Sequence, residues 1–138
     1  MNLRMSQPNG STASTVLLVD DNAIQAATRQ TILKRAGYSV QAVLNPARAL
    51  ELLQSTDTGH EFGAVITDHI MPGMSGAEFV RELRKTHPSL PVLVISGLEE
   101  AEDEYQDLDA RFLLKPLPPD QLLENVRSVL QMEQKGAA

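Results

Sequence analysis

Val65-Ile66-Thr67-Asp68-His69-Ile70-Met71-Pro72-Gly73-Met74-Ser75-Gly76 is an apolar run that ends in one carboxylate and a Pro/Gly turn. The apolar residues from Ala64 to Ile66 are too few for a helix and lead straight into turn residues. They predict a buried strand that delivers Asp68 to the carboxyl edge of a sheet. Open α/β sheets bind ligands at that edge. Immediately downstream, Ser75-Gly76-Ala77-Glu78 has the Ser-x-x-Glu form of a capping box. It predicts a helix with Phe79, Val80 and Leu83 facing inward, closed by Pro88 and Pro91.

The same pattern repeats on either side. Toward the N-terminus, Val16-Leu17-Leu18-Val19 is a second apolar run ending in Asp20-Asp21, after which Asn22 caps a helix over about 23–36, stopped by Gly37. Ser39 to Val43 alternates polar and apolar, as a strand near a sheet edge does. Asn45-Pro46 reads as N-cap and first residue of a short helix with Ala47, Leu50 and Leu53 on one face. A polar loop is expected from Thr56 to Glu61. Toward the C-terminus, Val92-Leu93-Val94-Ile95 ends in Ser96-Gly97, and Phe112-Leu113-Leu114 ends in Lys115-Pro116. Pro118-Pro119-Asp120 opens a last helix with the stripe Leu122, Leu123, Val126, Val129 and Leu130. Residues 1–14 are rich in Ser, Asn, Gly and Pro without periodicity and read as a disordered tail; the domain is expected over 15–134, with a short tail at 135–138.

Five strand candidates thus alternate with five helix candidates, and four of the strands are apolar throughout, as when helices cover both faces. The fold class is α/β, a doubly wound parallel sheet, and a chain of 138 residues is the size of one domain. There is no cysteine, which excludes disulfides, thiolate metal sites and cysteine nucleophiles. No apolar stretch approaches the roughly 18 residues of a membrane span, so the expected location is cytoplasmic. Seven acids between Glu99 and Asp109 dominate the net charge of −6; without them it would be +1. That balance argues against direct nucleic-acid binding, which needs a basic face.

In a doubly wound fold the residues just after the strands converge, so Asp20, Asp21, Asp68, Ser96 and Lys115 are expected in one polar cluster. Two unit charges about 4 Å apart repel by roughly 4 kcal/mol at an effective dielectric near 20. Three carboxylates on one rim therefore call for a cation. Oxygen ligands without cysteine or a histidine pair select a hard ion, and a shallow site suits Mg²⁺. A Lys115 ammonium, a Ser96 hydroxyl and a metal around Asp68 describe a carboxylate poised to attack phosphorus. His60, His69 and His87 lack metal-set spacing, and His69 reads as a loop residue.

An acidic pair after the first strand, an Asp after the third, a Ser after the fourth and Lys-Pro after the fifth together resemble a response-regulator receiver domain of two-component signalling, similar to the chemotaxis regulator, over about residues 15–134. The Asp-His-Ile-Met-Pro-Gly-Met-Ser-Gly run is similar to receivers attached to hybrid histidine kinases. The resemblance implies a flavodoxin-like sheet of order 2-1-3-4-5. It also implies that Asp68 accepts a phosphoryl group from a sensor histidine kinase or histidine phosphotransfer protein. Asp20, Asp21, Asp68 and the Ile70 carbonyl would hold Mg²⁺, and Ser96 and Lys115 would engage the phosphoryl group. A cis peptide is implied before Pro116, with a switch made of Ser96 and Phe112. The chain would be a monomer or weak dimer and not an enzyme, save for catalysing its own phosphorylation and dephosphorylation.

Three departures stand out. The segment from Ser96 to Phe112 is short and carries the seven acids, so a short, mobile fourth helix is expected there. Ala110-Arg111 precedes the aromatic position where a small residue or glycine is usual. Ile70 and Leu98 are apolar where some receivers carry polar residues that orient water, which predicts a shielded, long-lived acyl phosphate. With no output domain after Lys135, a stand-alone receiver is the first expectation and a fragment of a hybrid kinase a close variant. Two competitors are a phosphorylation-independent adaptor and a phosphohydrolase of the haloacid dehalogenase type. The second would want another Asp where Ile70 stands.

Overall fold

A computed structural model describes residues 15–55 and 62–137, with side chains to Gln131. The tail expected over 1–14 and the loop expected from Thr56 to Glu61 lie outside the described residues. Five strands, β1 (Thr15–Val19), β2 (Ser39–Val43), β3 (Phe62–Asp68), β4 (Val92–Ser96) and β5 (Arg111–Leu114), form one sheet of order β2-β1-β3-β4-β5. Every neighbouring pair is parallel. The connecting helices are α1 (Ala23–Arg35), α2 (Pro46–Gln54), α3 (Gly76–Thr86), a 3₁₀ helix (Glu99–Tyr105) and α4 (Pro119–Ala137). α4 continues past residue 134, where the sequence suggested that the domain ends.

The continuous apolar runs have a direct cause. Successive side chains of a strand point to opposite faces, and here each face meets helices. Leu17, Val19, Val65, Val92 and Val94 pack with Ala49 and Leu53 of α2 and Phe79, Val80 and Leu83 of α3. Their neighbours Val16, Leu18, Ala64, Ile66, Leu93 and Ile95 pack on the other face with Leu33 of α1 and Leu122, Val126 and Val129 of α4. The two edge strands, β2 and β5, have no fully buried residue.

Local chemistry sets the helix ends where the sequence suggested. Asn22 and Asn45 accept backbone N–H bonds at the starts of α1 and α2. Ser75 and Glu78 complete a reciprocal capping box. Gly37, at φ +102°, turns the chain out of α1. The fourth helix departs from the usual α-helix: it is seven residues of 3₁₀ helix, burying only Ala101 and Tyr105 beneath its acids. Arg84 of α3 holds the far end of that segment. Its guanidinium donates to the carbonyls of Leu108 (2.7 Å), His87 (2.9 Å), Leu90 (2.8 Å) and Asp109 (2.8 Å). This fixes the left-handed turn at Asp109, φ 55°, from which β5 departs.

Candidate functional site

Parallel strands put their carboxyl ends on one side, and the polar residues found there face one another. Asp20, just after β1, is fully buried and its Oδ1 accepts the Asn22 amide at 2.9 Å. Asn22 itself caps α1, its Oδ1 accepting the Gln25 amide at 3.0 Å, so the acidic pair is not consumed in capping. Asp68 ends β3 and is 5% exposed. One carboxylate oxygen from each of Asp20, Asp21 and Asp68 lies within 4.8 Å of the other two.

The fourth and fifth strands complete the cluster. The Lys115 ammonium stands 3.7 Å from Asp68 Oδ1 and donates to Gln25 Oε1 at 3.4 Å. The Lys115 amide donates to the Ser96 carbonyl at 2.8 Å, and the Ser96 Oγ accepts the Leu98 amide at 3.0 Å. Asp68, Ile70, Ser96, Gly97 and Lys115 line a cavity of about 40 Å³. The Lys115–Pro116 peptide is cis. All five residues picked from the sequence are therefore gathered at one rim. Phe112 lies lower, on β5, half-buried, with its ring 5.7 Å from that of Tyr105.

Two contributors escaped the sequence reading. Arg29 of α1 sends one guanidinium nitrogen between the carboxylates, donating to Asp20 Oδ2 at 2.9 Å and to Asp68 Oδ1 at 3.1 Å. The signal was available: Arg29 falls three residues after Ala26 and four before Leu33, the two buried residues of α1, so a charge occupied the inward stripe. His69 is not a free loop residue either. It is buried, its Nδ1 is 2.6 Å from the Tyr105 hydroxyl, and its Nε2 is 3.5 Å from Glu104 Oε2.

Glycine is required at position 76. Its amide donates to the His69 carbonyl at 2.7 Å, and a Cβ there would lie 2.5 Å from the Asp68 carbonyl oxygen and 2.5 Å from the Tyr105 hydroxyl.

Burial, and then the hydrogen-bonded neighbour Asp68, push the Asp20 carboxyl from 3.8 up to about 6, against the opposing pull of the Asn22 amide and Arg29. The rim is thus rich in hard oxygen donors whose charge is only partly compensated. That donor set fits a divalent ion such as Mg²⁺.

Residues 16–127 match the family described as the response regulator receiver domain. Among curated relatives, the chain is 34% identical over 124 residues to the sensor kinase CckA of Brucella abortus, covering 88% of this chain and 13% of that protein. It is 39% identical over 121 residues to the C4-dicarboxylate transport transcriptional regulatory protein DctD of Pseudomonas aeruginosa, covering 85% and 25%. The chain therefore spans a quarter or less of these relatives. Among solved structures, a CheY-like receiver from Methanospirillum hungatei has the same fold, with a TM-score of 0.82 at 23% identity over 89% of this chain and 98% of that one. The chemotaxis protein CheY4 of Vibrio cholerae superposes with a TM-score of 0.76 at 30% identity, covering 84% and 98%. The sheet order, the acidic rim and the family match over most of its length make this chain a member of the response regulator receiver domain family.

Proposed function

We propose that the chain is a phosphoacceptor in a two-component or phosphorelay system, with Asp68 taking the phosphoryl group. The observation that carries this reading is the environment of one oxygen. Asp68 Oδ1, on a nearly buried carboxylate, has the Lys115 ammonium at 3.7 Å, while Ser96 lines the same small cavity. An Asp68 oxygen attacks the phosphorus of a phosphohistidine donor; the new O–P bond forms as the P–N bond breaks, and the electron pair returns to the donor imidazole. Lys115 attracts one phosphoryl oxygen and the Ser96 hydroxyl donates to another. Asp20, Asp21, Asp68 and the Ile70 carbonyl would hold Mg²⁺, which when bound would supply positive charge against the transferring group.

The signal leaves as a population shift. A phosphoryl group that interacts better with one arrangement of the Ser96 loop favours that arrangement by the difference alone. Phe112, packed on Tyr105, is the side chain through which β5 reads the change. A sensor histidine kinase or histidine phosphotransfer protein is the donor on this reading. Similarity to a sensor kinase supports a relay role.

The test is incubation with Mg²⁺ and acetyl phosphate, followed by intact mass, for wild type and Asp68→Ala. One added phosphoryl group that vanishes in the variant is the expected outcome. Catalytic release of phosphate without an adduct would indicate the hydrolase instead. Neither adduct nor turnover, with acetyl phosphate and with a phosphohistidine donor alike, would leave the adaptor.

A further inference from the structure

We infer that Arg29 is a built-in counter-cation of the acidic rim, which a divalent ion must displace before it can share Asp20 and Asp68. This deepens the phosphoacceptor reading and rests on it for its biological meaning.

The argument starts from position. Arg29 belongs to α1, whose other inward residues are Ala26 and Leu33, and its side chain is 13% exposed. A guanidinium is costly to bury without partners. Here the partners are two carboxylates from different strands, at 2.9 and 3.1 Å from the same nitrogen, and those carboxylates are also two of the three oxygen donors gathered for a metal. A single Nη1 bridging both places positive charge between two of the carboxylates that a divalent ion would share.

Lys115 differs in kind. It approaches Asp68 from the β5 side at 3.7 Å, makes no bridge to Asp20, and its other partner is Gln25. Lys115 therefore stays available to a phosphoryl oxygen while Arg29 occupies the carboxylate pair. Arg29 and a divalent ion are ligands of overlapping donors and carry the same sign, so each weakens the other. By linkage the effect is reciprocal. Arg29 is a positioning residue in this account: it holds Asp20 and Asp68 together in the metal-free chain and sets how much cation is needed to load the rim.

The test is a titration of Arg29→Met with Mg²⁺ and with Mn²⁺, by calorimetry, alongside metal-free thermal unfolding in chelator. The expected result is tighter metal binding by roughly 5- to 150-fold, the usual span of a coupling between two ligands, together with a lower melting temperature without metal. Lys34→Met makes the same charge change on the same helix and should leave affinity within about twofold of wild type. Unchanged affinity in Arg29→Met would show that the guanidinium does not compete. Weaker binding would show that it helps to hold the metal, and either result overturns the inference. Should Arg29→Met fail to fold, Arg29→Gln keeps a hydrogen-bonding group between the carboxylates without the charge, and the same outcomes decide. Neither readout involves phosphoryl transfer, so a negative acetyl phosphate experiment would not be confused with a negative titration.

Discussion

The Nδ1 of His69 lies 2.6 Å from the Tyr105 hydroxyl, joining the residue next to Asp68 to the last residue of the 3₁₀ helix. The rings also meet edge-on at 5.5 Å, and Tyr105 in turn packs on Phe112 at 5.7 Å. A buried path of contacts therefore runs from the end of β3 to the side of β5. Burial, reinforced by Glu104, holds the Tyr105 phenol far above its ordinary range, so it stays neutral throughout the working pH range. Tyr105→Phe keeps the ring packing and removes the bond. It should cost about 1 kcal/mol in urea unfolding and reduce hydrogen-exchange protection across residues 99–109. Unchanged protection would mean that the acidic segment is held by packing alone.

Gly76→Ala tests the close approach of α3 to the same path. A methyl 2.5 Å from both the Asp68 carbonyl oxygen and the Tyr105 hydroxyl forces one of them to move. The expected cost is about 1–3 kcal/mol, as for other overpacked sites. Gly97→Ala is the control, because nothing lies within 4 Å of its Cβ position, and it should be near neutral in chemical denaturation.

Arg84→Lys should not rescue Arg84→Met. One ammonium cannot span the four carbonyls that the planar guanidinium reaches. Both variants should lose about 1–3 kcal/mol, since most of these half-buried and exposed carbonyls lose their charged donor. A lysine variant with wild-type stability would show that only the charge mattered.

The Asp20 carboxyl gives the metal-free protein a defined pH response. Its folded value, about 6, exceeds the ordinary 3.8, so between those values the folded chain binds more protons than the unfolded one. Its contribution to stability falls as pH rises through that window and is level above it. At about 1.4 kcal/mol per unit the full span is about 3 kcal/mol. In chelator, Asp20→Asn should flatten the stability curve between pH 4 and pH 6 relative to wild type; a curve of the same slope would contradict the assignment.

Ile70 lines the cavity beside Asp68 and is 65% exposed, and Leu98, two residues after the lining residue Ser96, is 39% exposed. On the phosphoacceptor reading they keep water from being oriented toward phosphorus. Ile70→Asn and Leu98→Glu should each shorten the lifetime of the acyl phosphate, followed by intact mass after removal of donor. Decay at the wild-type rate in both would end the shielding idea.

What could be read from the sequence and what could not divides along the range of the interactions. Strands covered on both faces are apolar at every position, so β1, β3 and β4 announce themselves, and caps such as Asn22, Asn45 and Ser75 act within three residues of the helix they start. The polar rim follows from parallel topology alone. Arg29 reaches Asp68 across 39 positions, and His69 reaches Tyr105 across 36. Arg29 stands out as a charge on the inward stripe of its helix, but nothing local to any of the four names its partner. The acidic segment was recognisable as a poor α-helix, yet its 3₁₀ form depends on where Ala101 and Tyr105 find cover, which only the assembled sheet provides.

The contact between Lys115 and Gln25 spans 90 positions and closes the rim between the first helix and the last strand. Asp20 precedes Lys115 in the chain. The rim is therefore closed only when the fifth strand is laid against the fourth and brings Lys115 to Asp68.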